Sequence, residues 1–238
     1  LFIDMEHGAM SVADAAQISM AALSQGVTPI VRVCKDAIFE GTRSLDNGAM
    51  GVVVPHVDTA EEAAAIVQAY RFPPTGARSW GGPPFAYGLG AVNPATAQPE
   101  LNESILIACM IETPEAVENA ESIAAVPGVD VLMFGTSDLT ATMGIPGQIA
   151  HPDVRAAYAK VGEACKRHGK VMGMGGVYDE ATARDYIGLG ARFILSGNDH
   201  SFLMAAASAR AKFLRGLGGG GARALIRRKA RFPGLGQD

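Results

Sequence analysis

The chain has 238 residues, an apolar share of 48% and a mean hydropathy of +0.16, enough for one large α/β core or two small ones. Its net charge of −4 offers no basic field for nucleic acid, so a small anionic substrate must be met by local cations. No uninterrupted apolar stretch reaches membrane-spanning length, the N-terminus lacks a leader pattern, and Cys34, Cys109 and Cys165 are scattered, which predicts a soluble protein of the reducing cytoplasm.

In chain order, Leu1-Phe2-Ile3-Asp4 reads as the end of a buried strand, and the loop after it packs Asp4, Glu6 and His7 together. Ser11 caps a helix that runs to Gly26. Thr28 to Val33 is a strand whose apolar run is broken by Arg32, a residue that needs an anionic partner there. A short helix over 38–47 carries Asp46, and Gly51 to Pro55 is the next strand, followed by His56, which has a packing reading and a mouth-facing one. Thr59 and Glu62 form a capping box that starts a helix to about Tyr70. From Arg71 to Asn102 periodicity is lost, which predicts a long functional loop holding Arg78, Trp80 and Tyr87.

The run Ile107 to Ile111 is a strand ending in Glu112, and Val129 to Gly135 is a second one followed by Asp138, with a helix over 115–125 between them. Glu112 alone has an ordinary reading as a capping acid for the helix at Pro114. Paired with Asp138 one βα unit later, it reads as half of a hard oxygen site for a divalent cation. A helix over 152–168, a strand over 170–176, a helix over 179–189, a strand over 192–197 and a helix over 200–214 complete the pattern. The glycine-rich, then basic, stretch 216–238 reads as a disordered tail following one domain over 1–215. Seven strand segments alternate with helices; with one more strand and helix ahead of residue 1 the count becomes a (βα)8 TIM barrel. His7, Arg32, Glu112 and Asp138 then all fall at the C-terminal ends of strands, where such barrels keep their sites.

The motifs Asp4-Met5-Glu6-His7-Gly8, Gly48 to Pro55, Phe72 to Arg78, Ile111-Glu112-Thr113 and Gly135-Thr136-Ser137-Asp138-Leu139 occur in this order. Together they resemble the HpcH/HpaI aldolase family of metal-dependent class II pyruvate aldolases. The resemblance implies that Glu112 and Asp138 ligate a divalent ion such as Mg2+, Mn2+ or Co2+. It implies that Arg32 holds the 2-oxo acid, that His7 handles the substrate proton with Asp4 as its partner, and that Gly135, Thr136 and Ser137 receive the carboxylate. Asp46 would reach a neighbouring subunit's site, and Arg78 would stand near the mouth. The implied assembly is a homo-oligomer, a hexamer or trimer, with the last helix swapped between subunits. Met110 stands where several relatives carry glutamine, and Thr136 replaces a common proline, so these positions bear on substrate preference.

These residue types suit the chemistry. A carbanion beside a carbonyl needs a Lewis acid on the 2-oxo oxygen and a base for the proton. No lysine sits at a strand end where an imine would form, which favours the metal route. The expected activity is reversible aldol cleavage of 4-hydroxy-2-oxo acids to pyruvate or hydroxypyruvate plus an aldehyde, without an organic cofactor. A citrate-synthase-like transferase or a malyl-type CoA-ester lyase is the alternative, and a non-catalytic barrel the third reading.

Overall fold

The structure, a computed structural model, describes residues 1–88 and 90–217. Short runs of Val, Ile, Leu and Met become strands because they are flanked by turn residues and bury both faces. The amphipathic stretches between them become helices. In order these are β1 (Phe2–Asp4), α1 (Val12–Ser24), β2 (Ile30–Arg32), α2 (Ile38–Asp46), β3 (Gly51–Val54) and α3 (Ala60–Tyr70). They continue as α4 (Pro94–Ser104), β4 (Leu106–Ile111), α5 (Pro114–Glu118), α6 (Ala120–Ala125), β5 (Val131–Gly135) and α7 (Thr136–Thr142). The unit Leu1–Ser196 ends with α8 (Pro152–His168), β6 (Val171–Gly175), α9 (Glu180–Gly188) and β7 (Ala191–Ile194). A second unit begins at Gly197 and contains α10 (Asp199–Leu217), none of whose residues is buried. The expected disordered tail lies, from residue 218 on, outside the described residues.

Among the described residues the strands form one seven-stranded parallel sheet in the order β1 to β7, with β1 and β7 as its edges. No eighth strand is present among them. Strand alternation sorts the side chains. Ile3, Val31, Val52, Ile107, Leu132 and Met174 face the large core shared with the helices. Ile30, Val53, Ala108, Met110, Val131 and Met133 form a separate cluster on the opposite face. Sequential strand order with the helix-packed core on one face is barrel-type winding, whereas a doubly wound sheet carries helices on both faces. The inner face is narrow: Gly173 lies opposite Met133, and a side chain there would stand 2.9 Å from the Met133 Cβ.

The helix starts follow the sequence signals. Ser11 with Asp14, and Thr59 with Glu62, close reciprocal capping boxes. Two expectations are corrected. The stretch 115–125 is two helices that meet at Asn119, whose side chain donates to the Asp58 carbonyl at 2.8 Å. The long loop contains α4, capped by Asn93 and carrying Pro99 inside it; only Ala97 and Leu101 are buried, too few to make a readable stripe. Arg71, buried just before that segment, donates to the Ile105 carbonyl at 2.8 Å and to Asp130 Oδ2 at 2.6 Å. Asp130 Oδ2 in turn accepts from the Ile107 N–H at 2.7 Å. This pair, with Arg71 buried and Asp130 half-exposed, fixes the starts of β4 and β5, the two strands that deliver the acidic residues.

Candidate active site

Inner-face positions along β1, β2, β4 and β5 bring Asp4, Arg32, Met110 and Gly135 toward one mouth, with Glu112 and Asp138 just beyond the strands. A cavity of about 180 Å³ opens there. Its polar side is formed by His7, Arg32, Glu112, Thr136, Ser137 and Asp138, and its apolar side by Phe2, Met110, Met133 and Leu195. Gly135, Gly175, Gly176 and Tyr178 complete the wall.

Glu112 is the most constrained of these groups, being only 1% exposed. Its Oε2 accepts the His56 N–H at 2.7 Å, and the His56 Nδ1 lies 3.2 Å from the same oxygen. Burial raises the Glu112 carboxyl above its usual range, and the neighbouring Asp138 and Glu6 charges push the same way. The His56 contacts oppose that rise without cancelling it. A carboxylate held among other carboxylates in a dry site is the donor set a divalent cation relieves. Gly135 makes the room: a side chain there would stand 2.8 Å from Glu112 Cδ and Cγ, and closer still to Oε1. The residues therefore fit a hard divalent ion held by Glu112 and Asp138. Among the described residues no group of three His, Cys, Asp or Glu side chains is arranged to hold a metal ion, so further ligands would come from substrate or water.

Arg32 explains its place inside a strand. Its Nε and Nη2 donate to the two Asp4 oxygens at 2.9 and 2.5 Å, and Nη1 lies 3.0 Å from Glu6 Oε2. Burial lowers the Arg32 guanidinium, but the Asp4 hydrogen bond and charge, then Glu6, raise it overall. Nη1 also donates to Met110 Sδ at 3.9 Å, so of the five N–H donors of a guanidinium one remains for an oxyanion in the cavity. Asp4 is likewise pushed up by burial but brought below its usual range by Arg32 and by the Glu6 and His7 N–H groups.

That engagement corrects one expectation. The Asp4 carboxylate is not held against the His7 ring; it faces Arg32 across the β1–β2 register, and its only bond to His7 is from the main-chain N–H at 3.4 Å. The His7 side chain is 70% exposed at the cavity wall, with Glu6 Oε2 3.9 Å from its Nε2. A second expectation also changes. Arg78 does not line the cavity; its Nη2 donates to Asp46 Oδ1 at 2.6 Å, and its guanidinium lies 4.6 Å above the Phe72 ring. Burial pulls the Arg78 guanidinium below its usual range, and Asp46 offsets this only in part. Thr136, in place of the proline expected from the resemblance, is fully buried. Its Oγ1 donates to the Gly175 carbonyl at 2.6 Å and lies 2.8 Å from the Tyr158 hydroxyl. Tyr158 is stacked between Phe134 and Tyr186, with both ring-centroid separations 3.8 Å.

Glu6, His56 and Tyr178 were not marked as site residues by sequence. Glu6 and His56 lie in loops whose partners are 26 and 56 positions away, so no local signal points to them. Phe2 does carry a local signal: it shares the inner face with Asp4 two residues later.

The winding and the mouth define a class, barrel-type α/β proteins with an acidic, arginine-lined site beyond the C-terminal ends of the strands. The family described as HpcH/HpaI aldolase/citrate lyase matches residues 1–206, and the chain belongs to that family. It is 43% identical over 211 residues to the 4-hydroxy-4-methyl-2-oxoglutarate aldolase of Hapsidospora irregularis, covering 85% of this chain and 77% of the relative. Among solved structures, the HpcH/HpaI aldolase of Desulfitobacterium hafniense DCB-2 superposes with a TM-score of 0.84 at 34% identity, covering 92% of this chain and 84% of that one. The citrate synthase SbnG superposes with a TM-score of 0.78 at 31% identity, covering 90% and 82%.

Proposed function

We propose that the chain is a divalent-cation-dependent aldolase that cleaves 4-hydroxy-2-oxo acids to pyruvate, or a close analogue such as hydroxypyruvate, plus a carbonyl fragment, and that it runs the reverse condensation. The observation that carries this reading is the buried Glu112 beside Asp138 in the cavity that Arg32 also lines. Glu112 and Asp138 would hold the cation, which when bound supplies Lewis acidity to the 2-oxo oxygen. The remaining Arg32 donor would meet the same oxygen or the adjacent carboxylate and favour the charge that develops on cleavage. In the cleavage direction the 4-hydroxyl gives up its proton, the C3–C4 electron pair passes to C3, and the resulting enolate takes a proton at C3. His7, exposed on the wall, would carry those protons between substrate and water. Met110, Met133, Phe2 and Leu195 exclude water from the floor.

Supporting the assembly reading, α10 carries Phe202, Leu203, Met204, Phe213 and Leu214 all exposed, which suits a helix exchanged with a second copy in a homo-oligomer. Asp46 keeps about a third of its side chain exposed, so one face of it remains available to a neighbour. The thiols Cys34, Cys109 and Cys165 are unpaired, in keeping with the cytoplasm, and no helix of the described residues is long and apolar enough to cross a membrane.

The direct test is pyruvate release from 4-hydroxy-2-oxo acids, including 4-hydroxy-4-methyl-2-oxoglutarate, before and after EDTA and with metal restored. Release that is abolished by EDTA and recovered with Mg2+ or Mn2+ supports the reading; release indifferent to EDTA removes its metal component. The likeness to a citrate synthase favours one rival, condensation of an enolate onto oxaloacetate. Citrate formation without pyruvate release would establish it instead.

A further inference from the structure

We propose that His56 is a positioning residue for Glu112: it occupies one carboxylate oxygen from two sides so that the other is presented to the cation. The inference rests on the reading of Glu112 as a cation ligand and adds to it a residue outside the cavity wall.

The first support is backbone geometry. His56 has φ +53°, and it is the one non-glycine residue among those described with a positive φ. A bulky side chain persists in that region only where its surroundings over-determine it. Here they do. The Val57 N–H donates to the Met110 carbonyl at 3.1 Å, tying the loop to β4. The Asp58 N–H donates to Glu62 Oε2 at 2.7 Å, and Thr113 Oγ1 donates to Asp58 Oδ1 at 2.5 Å. The loop after β3 is thus fastened to α3, to the end of β4 and to the start of α5.

The second support is convergence. The strained residue brings its own N–H and its ring Nδ1 to the same oxygen, Glu112 Oε2, at 2.7 and 3.2 Å. Oε1 accepts no hydrogen bond among the described residues and packs against Gly135, a residue of the cavity wall. His56 thus engages one oxygen and leaves the other without a protein donor, at the cavity wall. The ring's far nitrogen, Nε2, stands 3.7 Å from Glu6 Oε1, and Glu6 Oε2 stands 3.0 Å from Arg32 Nη1. A continuous polar path links the proposed cation ligand to the arginine that meets the 2-oxo acid. Ligating carboxylates are commonly oriented by such partners, whose loss weakens metal binding about 10- to 100-fold.

The test titrates Mn2+ alone into the full chain, without substrate, and reads free Mn2+ by electron paramagnetic resonance. His56→Gly accepts φ +53° without strain and keeps the main-chain N–H, so it isolates the ring; His56→Ala removes the same ring by a second route. His56→Asn tolerates the left-handed region and places Nδ2 close to where Nδ1 stands. The expected result is Mn2+ affinity weakened about 10- to 100-fold in the glycine or alanine variant and largely recovered in His56→Asn, with cation-free thermal midpoints showing all variants folded. Glycine or alanine variants that bind Mn2+ within about twofold of the parent, while Glu112→Gln binds none, overturn the role of His56. If Glu112→Gln binds as the parent does, the ligand assignment itself falls, and the inference with it.

Discussion

Gly135→Ala changes one methyl group at the one place where the backbone gives way to Glu112. The residue has φ −96° and ψ 83°, a negative-φ conformation near the inverse γ-turn that alanine can adopt, so the main effect of the substitution is the added methyl. The added carbon would stand 2.8 Å from Glu112 Cδ and Cγ, while carbon atoms in contact sit about 3.5–4.0 Å apart. The carboxylate must therefore retreat by about 1 Å. It has no slack in which to do so, because Oε2 is held at 2.7 Å by the His56 N–H. Breaking that charge-assisted bond costs about 1.5–3 kcal/mol. At about 1.4 kcal/mol per tenfold, divalent-ion affinity should fall about 10- to 150-fold. The cation-free thermal midpoint should fall by about 3–12 °C for a chain of this size. Titration calorimetry with Mn2+ and scanning calorimetry without it measure the two effects separately. An alanine variant with parental Mn2+ affinity would show that the packing of Glu112 against Gly135 has no part in presenting the carboxylate, and the reasoning would fail.

Other expectations follow from the same geometry. Arg32→Lys replaces a fork engaging Asp4 and Glu6 by a single ammonium, and kcat/KM for aldol cleavage should drop by about 100-fold or more while the fold persists; a drop below about threefold would deny Arg32 its role. Thr136→Val leaves the Gly175 carbonyl and the Tyr158 hydroxyl without their buried partner, and urea denaturation should show a loss of about 1–3 kcal/mol. Asp4, whose folded value lies below its unfolded one because Arg32 outweighs burial, contributes stability that is fully present above the unfolded carboxylate range. That contribution is lost as pH falls through the folded value, below about pH 4, so the parent should lose stability more steeply than Asp4→Asn there; parallel curves would contradict the pairing.

The parts of this molecule that could be read from sequence are those with a local signature. The strands declared themselves as apolar runs, and Glu112 and Asp138 stood out because an acid ends a buried run in each of two neighbouring units. Arg32 was legible for the same reason, as a charge with no excuse inside a strand. What stayed hidden depends on register or on distance along the chain. Asp4 was expected beside His7, three positions away, but the β1–β2 pairing sets it directly opposite Arg32, whose fork captures both of its oxygens. Asp46 and Arg78 were assigned separately to a neighbour's site and to the mouth, yet within one chain they bond to each other over Phe72. Helix α4 escaped because a helix burying only Ala97 and Leu101 has no stripe to display. His56 was weighed as a packing residue or a mouth residue; it is neither on the cavity wall nor idle, and only the folded position of Glu112 shows why.

The central claim is that Glu112 and Asp138 hold a cation that lets this chain form the enolate of a 2-oxo acid. Exchange of the pyruvate methyl protons for deuterium in D2O, followed by nuclear magnetic resonance with no acceptor present, reads that step alone. The account predicts exchange in the parent with Mg2+ or Mn2+, and none after EDTA or in Glu112→Gln and Asp138→Asn. Exchange that continues at the parental rate in EDTA, or in both variants, would contradict it.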